Sequence, residues 1–154
     1  MKKIVVMSDN HGDDYAMEWI RELESDADYY VHCGDSETSD KRFLNGYICV
    51  QGNNDWTLDL PRFAKFKAEG LTFLVTHGQF YGYFKRENLM MVDLKKYRCD
   101  VMLSGHSHIP HYAKIGDYQF LNPGSTTLPR GGSARGYAVI YVDGKNLSYE
   151  FKEL

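Results

Sequence analysis

Seven side chains of this chain carry the donor chemistry of a metal centre: Asp9, His11, Asp35, Asn53, His77, His106 and His108. Their carboxylate, amide and imidazole atoms, with no thiolate among them, suit manganese, iron, zinc, cobalt or nickel; a calcium site would need oxygen ligands and no histidine. Asp9 and His11 are two residues apart, as are His106 and His108. In extended backbone such neighbours point to the same side, so each pair can serve one metal together. With two divalent ions, Asp9, Asp35 and a bridging hydroxide leave residual positive charge, because the amide of Asn53 coordinates without cancelling any. The guest that fits such a site is an anion such as a phosphate ester.

The elements that must position these donors are legible as short apolar runs. Ile4 to Met7, Tyr29 to Val31, Tyr47 to Val50, Leu71 to Val75 and Val101 to Leu103 each lead directly into a candidate ligand, the pattern of buried strands bounded by glycine and polar residues. If these runs lie side by side in one sheet, their carboxyl ends line one edge, where open α/β sheets hold ligands. The full reading gives strands near 3–8, 29–33, 47–51, 63–68, 71–76, 101–104, 111–115, 118–122, 137–142 and 146–152. A helix capped by Asp13 or Asp14 runs to about Leu23, with Ala16, Met17, Ile20 and Leu23 on its apolar face. A second helix fits Glu87 to Tyr97, where Leu89, Met90, Val92 and Leu94 face the core less regularly. Hairpins turn at Gly116-Asp117 and at Asp143-Gly144, the latter a type I′ signal. Strands alternating with helices early and hairpins late predict an α/β fold of two mixed sheets packed face to face with helices outside, forming one domain over 1–154.

Taken in order, Asp-x-His, Gly-Asp, Gly-Asn-x-Asp, His-Gly and Gly-His-x-His resemble the calcineurin-like metallophosphoesterase superfamily, and its small bacterial and archaeal phosphodiesterase branch in particular. The resemblance runs from Asp9 through Asn122-Pro-Gly-Ser125 to the final hairpin. It implies a four-layer αββα sandwich and two divalent metal ions, manganese foremost. It also implies that Asp9, His11, Asp35 and His108 hold one ion while Asp35, Asn53, His77 and His106 hold the other, with Asp35 bridging. The activity implied is phosphodiester hydrolysis by in-line attack of a metal-bridging hydroxide on a small phosphate ester. Retromer-subunit relatives of this branch use the fold as a protein-interaction scaffold with a degenerate site, but every ligand position here keeps a competent donor. A nuclease is a third reading.

The chain departs from the family's best-studied hydrolases in one place. Where those have a histidine that protonates the leaving group, this chain has Asn54, which donates a hydrogen bond but no proton. General-acid help of about 10²- to 10⁴-fold is then missing. Asp55 is read as orienting a ligand imidazole or amide rather than binding metal. Arg130 and Arg135, in a glycine-rich loop, can bring a guanidinium to the phosphate. Phe80-Tyr81-Gly82-Tyr83-Phe84 either stacks on a base or ring of the substrate or is a partly buried loop or a subunit contact in a homo-oligomer. The short spacings leave no room for a cap domain, which implies an open cleft.

The remaining features are plainer. His32 lies inside a strand run and His111 begins another, so neither is counted as a ligand. Net charge is −3 with no basic run, which argues against a nucleic-acid partner. The three cysteines Cys33, Cys49 and Cys99 read as reduced core thiols of a cytoplasmic protein, with Cys33 bordering the site and open to oxidation there. The apolar start is cut short by Ser8-Asp9, too early for a signal peptide, and no segment reaches membrane-spanning length.

Overall fold

The computed structural model describes residues 1–154. Its central strand β1 (Lys2–Met7) is covered on both faces, so the run Ile4-Val-Val-Met7 is wholly buried, as expected of a strand between two layers. Period-two alternation sorts those four residues. Ile4 and Val6 join an inter-sheet core with Val31, Phe73, Val75, Leu103, Leu121 and Ile140, while Val5 and Met7 pack outward beneath the first helix.

One sheet is built on β1, β2 (Tyr29–His32), β3 (Tyr47–Cys49), β9 (Gly136–Asp143) and β10 (Asn146–Glu153), in the order β10-β9-β1-β2-β3. The other contains β4 (Phe63–Ala68), β5 (Leu71–Thr76), β6 (Val101–Leu103), β7 (Pro110–Ile115) and β8 (Tyr118–Pro123), in the order β4-β5-β6-β8-β7. β1, β2 and β3 run parallel, as do β5, β6 and β8; the flanking strands pair antiparallel. Helix α1 (Tyr15–Leu23) covers the first sheet through Ala16, Met17 and Ile20. Helix α2 (Arg86–Tyr97) covers the second through Met90 and Leu94, packed on Leu74, Met102 and Phe120. The layers are therefore helix, sheet, sheet, helix.

All ten strands form where the apolar runs place them, with ends shifted by at most two residues. Five details differ. The ligand-leading strands do not share one sheet: β1, β2 and β3 lie in the first, β5 and β6 in the second. Asp14 precedes α1, yet neither it nor Asp13 caps by its side chain; Asp14 has helical φ and ψ of −61° and −32°, where an N-cap is normally extended. Leu23, Leu89 and Val92 are exposed, since each sits on its helix away from the single sheet face available. Asp143 pairs with Asn146, so the hairpin loop is Gly144-Lys145 rather than Asp143-Gly144. Only Gly144 there has positive φ, which fits a type II′ turn and not type I′.

Candidate metal centre

The carboxyl ends of β1, β2, β5 and β6 meet at one end of the sandwich, and hydrogen bonds stitch the loops across the two sheets. His77, just past β5, donates from Nδ1 to the carbonyl of Cys33, just past β2, at 2.8 Å. The amide of His106, after β6, donates to Asp9 Oδ2, after β1, at 3.0 Å. Close approach depends on glycine at two places. A Cβ on Gly105 would strike Ser8 Oγ, and one on Gly52 would strike the side chain and amide of Asp35. Asp9, His11, Asp35, His106 and His108 all have φ between 42° and 73°, a left-handed region costly for residues with side chains. Five of the nine non-glycine residues with positive φ are thus candidate ligands, so backbone strain concentrates at this edge.

The seven donors converge as a connected set. Asp9 Oδ1 lies 3.3 Å from His108 Nε2, 3.7 Å from His11 Nε2 and 3.8 Å from His77 Nε2. His11 Nε2 and His108 Nε2 are 3.0 Å apart, and Asp35 Oδ2 is 3.3 Å from His77 Nε2. Asn53 Oδ1 stands 2.9 Å from His77 Nε2 and 3.1 Å from His106 Nδ1. Two clusters of ionisable donors emerge, Asp9-His11-His108 and Asp9-Asp35-His77, and they share Asp9.

Each imidazole is anchored by its outer nitrogen, which fixes what the inner one can do. His77 Nδ1 faces the Cys33 carbonyl, His108 Nδ1 the Leu128 carbonyl at 2.7 Å, His11 Nδ1 the Glu37 carboxylate at 3.3 Å, and His106 Nε2 the Tyr83 hydroxyl at 2.9 Å. A carbonyl or carboxylate only accepts, so at His77, His108 and His11 the outer nitrogen carries the proton and the inner one presents a lone pair; the Tyr83 hydroxyl can play either part at His106. Lone pairs facing one another at about 3 Å repel unless something positive lies between them. Asp9 makes the same demand: Oδ2 accepts from Ser8 Oγ and the His106 amide, while Oδ1 is buried with no hydrogen-bond partner. An orphaned buried carboxylate oxygen ringed by imidazole nitrogens fits a divalent cation.

The electrostatics agree. Burial pushes Asp9 and Asp35 upward, but neighbouring His108 and His77 outweigh it, leaving Asp9 below the usual carboxylate range and Asp35 at about 2. Asp9 in turn raises His108, and Asp35 outweighs burial to raise His77; a proton there balances the charge that a cation would balance. Burial and the nearby His77 hold His106 down at about 4, in the neutral form a ligand needs.

Residues 1–145 match the model of the calcineurin-like phosphoesterase superfamily domain. The chain belongs to this superfamily. A probable metallophosphoesterase of Mycoplasma pneumoniae is 38% identical over 139 residues, covering 84% of this chain and 82% of that protein. The phosphodiesterase YfcE of Escherichia coli is 29% identical over 171 residues, covering 93% and 89%. Among solved structures, a predicted phosphoesterase from Streptococcus pneumoniae superposes with a TM-score of 0.82 at 30% identity, covering 92% of this chain and 83% of that one. Vps29 of Entamoeba histolytica complexed with zinc gives a TM-score of 0.78 at 15% identity, covering 96% and 89%, a likeness of fold alone.

Within this phosphoesterase site the other candidate residues play parts their types did not disclose. Asp55 is buried and makes no hydrogen bond to an imidazole: Oδ2 accepts the amides of Asp35 and Gly52 at 2.9 and 2.7 Å, and Oδ1 accepts that of Glu37 at 2.9 Å. It clamps the two loops that carry Asp35 and Asn53. Asn54 turns toward Asp35, donating from its amide to Oδ1 at 2.8 Å and from Nδ2 to Oδ2 at 3.0 Å. The Arg130 amide donates to the His108 carbonyl while its side chain is exposed. Arg135 is not brought into the cluster; Nε donates to the Thr126 carbonyl, and the residue lines a separate hollow with Pro110, Tyr137 and Lys152.

Cys33 is wholly buried, and burial raises its thiol well above the ordinary value, which removes the thiolate that oxidation requires. His32 is a core residue, its Nε2 2.6 Å from Asn10 Oδ1 and its Nδ1 accepting the Gly34 amide. His111 pairs with Glu87 at 2.9 Å on the surface. Sequence reasoning missed Glu37 and Ser8, which hold His11 and Asp9. Ser8 adjoins a ligand and Glu37 follows Asp35 by two, but nothing in either type distinguishes it from a surface residue. Tyr83 lies in the aromatic segment singled out for stacking, and the ring it stacks on is His106, with centroids 5.2 Å apart and planes at 22°.

Proposed function

We propose that this chain is a phosphodiesterase dependent on two divalent metal ions, which hydrolyses small phosphate esters by in-line attack of an activated water. The observation that carries the reading is the unpartnered oxygen of Asp9, buried between the lone pairs of His11, His108 and His77. Superfamily membership and the phosphodiesterase named among the relatives support it. Asp9, His11, Asp35 and His108 would hold one ion; Asp35, Asn53, His77 and His106 the other, with Asp35 shared. Manganese suits this oxygen and imidazole set. When bound, the ions supply Lewis-acid charge for the phosphoryl oxygens and lower the pKa of water to make a nucleophile at neutral pH.

The protein's own residues supply the rest. Asp55 and Asn54 fix both oxygens and the backbone of Asp35, so that carboxylate needs no reorganisation on binding. Cys33 and Leu128 carbonyls and Glu37 hold His77, His108 and His11 in the ligating tautomer, and Tyr83 steadies the ring of His106. Asn53 is exposed and His11 and His106 half-buried, so the site opens to solvent on that side and admits a diester. Asn54 cannot protonate the leaving group, which favours esters of acidic alcohols and phenols.

Protein purified without chelator, assayed with bis(p-nitrophenyl) phosphate, should turn over and carry about two equivalents of divalent metal. Exhaustive chelation should abolish turnover, and Mn²⁺ should restore it better than Mg²⁺, which binds imidazole poorly. Full activity after the metal is removed would overturn the reading.

A further inference from the structure

Beside the metal centre lies a second hollow of about 330 Å³, between the start of α2 and the loop carrying His106. Met90, Ile109 and Phe120 give it an apolar wall, and Tyr83, Arg86 and Ser107 stand among its polar lining. Two of these tie it to the centre. Tyr83 stacks on His106 and hydrogen-bonds its Nε2, and Ser107 is the residue between His106 and His108. Tyr83 therefore borders both the His106 side of the centre and the hollow.

Arg86 adds a chemical preference. Its Nη2 donates to the carbonyls of Gly78 and Gly105 at 3.2 and 3.3 Å, while its Nε is buried without a partner. The neighbouring carboxylate, Glu87, is engaged with His111 instead. A guanidinium has five N–H donors in a rigid fork, and Nη1 makes no hydrogen bond, so this one has donors and charge to spare. Its two hydrogen bonds fall on the residue after His77 and the residue before His106, so it braces both ligand loops.

We propose that this hollow is the subsite for the organic substituent of the ester, and that it takes an aromatic or heteroaromatic ring bearing a hydrogen-bond acceptor. The assignment rests on the phosphoesterase reading above. Tyr83 supplies a face for stacking, the Met90 and Phe120 wall removes the ring from water, and Arg86 favours an acceptor at its edge. The same volume gives a methyl or other small alkyl group almost nothing to bury against.

Phenylphosphonate and methylphosphonate carry the same charge and neither is hydrolysed, so their competitive inhibition of the metal-loaded enzyme isolates the substituent. Phenylphosphonate should inhibit roughly ten- to a hundredfold more tightly. Ile109→Trp, which plugs the hollow from its exposed rim, should erase that preference while metal content and methylphosphonate inhibition stay within about twofold. In the unmodified protein, transfer of magnetisation from the Met90 methyl to the phenyl protons should place the ring without reliance on any variant. Equal inhibition by the two phosphonates, or a preference that survives the plug, overturns the subsite and leaves the phosphoesterase reading standing. Inhibition by neither overturns both.

Discussion

Two buried carboxylates, Asp9 and Glu24, sit in the same sandwich under opposite terms. Glu24 Oε1 accepts from the Tyr137 hydroxyl at 2.7 Å and Lys152 Nζ at 2.9 Å, and Oε2 lies 2.7 Å from Lys3 Nζ. Every lone pair that matters is answered, and two lysines balance Glu24 and the adjacent Asp26. Asp9 is no more accessible, yet one of its oxygens has no donor at all, and four of its neighbouring ligands hold strained backbone. A buried acid that is satisfied holds the fold together; one left unsatisfied among lone pairs is waiting for a ligand.

The sharpest way to break that contrast is to remove a carboxylate from each region. Asp35→Ala, which takes a proposed ligand from both ions, should lower kcat/KM by about 10³-fold or more, whereas His11→Ala and Asn53→Ala, each touching one ion, should cost roughly 10- to 100-fold. The metal-free Asp35 variant should also melt several degrees lower, because Asn54 and His77 answer the charge that is removed and hold its carboxyl at about 2. Because the converging clusters share Asp9 rather than Asp35, Asp9→Ala belongs in the same series. If it empties both ions and costs more than Asp35→Ala, the bridge is Asp9.

Asn54 sharpens the comparison from within the site. It is bound to Asp35 through both backbone and side chain, so Asn54→Ala should weaken metal affinity about tenfold, read by titration against a chelator. With no proton donor at this position, rates should fall steeply as the leaving-group pKa rises across a series of aryl diesters. Asn54→His should flatten that slope by restoring a donor, at the cost of the clamp on Asp35. A shallow slope in the unmodified protein would mean that another group, His11 foremost, already supplies the proton.

What could be read before folding was whatever is written in one dimension. Apolar runs ending in donors gave the strands and brought the seven ligands into one list, because strand ends and chemistry coincide along the chain. The split of those strands between two sheets was not legible in that list: a buried strand looks the same whichever sheet it joins. Asp55, which by type and position reads as orienting a ligand imidazole or amide, instead binds three backbone amides, a role set by how two loops lie together. Glu37 and Ser8 are not legible in the sequence because holding an imidazole or a carboxylate needs only an acceptor or a donor in the right place, which many residue types provide. The first helix starts after Asp14 as its sequence implies, but without a side-chain capping bond, and the second hairpin turns at Gly144-Lys145; Asp-Asp and Asp-Gly each permit more than one backbone geometry.

Glu24 gives the smallest effect on chemistry and so the cleanest control. Burial alone would raise its pKa, but hydrogen bonds from Lys3, Lys152 and Tyr137 hold it at about 2. An unfolded glutamate titrates near roughly 4.3. The folded value being the lower, this group's stabilisation is complete above the unfolded pKa and is lost as pH falls from there towards 2. Glu24→Gln keeps the shape and removes the charge, so it should cost about 2 to 3 kcal/mol at pH 7 and far less near pH 2, measured by urea unfolding across that range. Metal content and turnover at pH 7 should remain within about twofold of the unmodified protein, because nothing in this cluster reaches the metal centre. Loss of metal in the Glu24→Gln protein at a temperature where it stays folded would mean that the two carboxylates are coupled through β1, and the division between a fastening acid and a binding acid would fail.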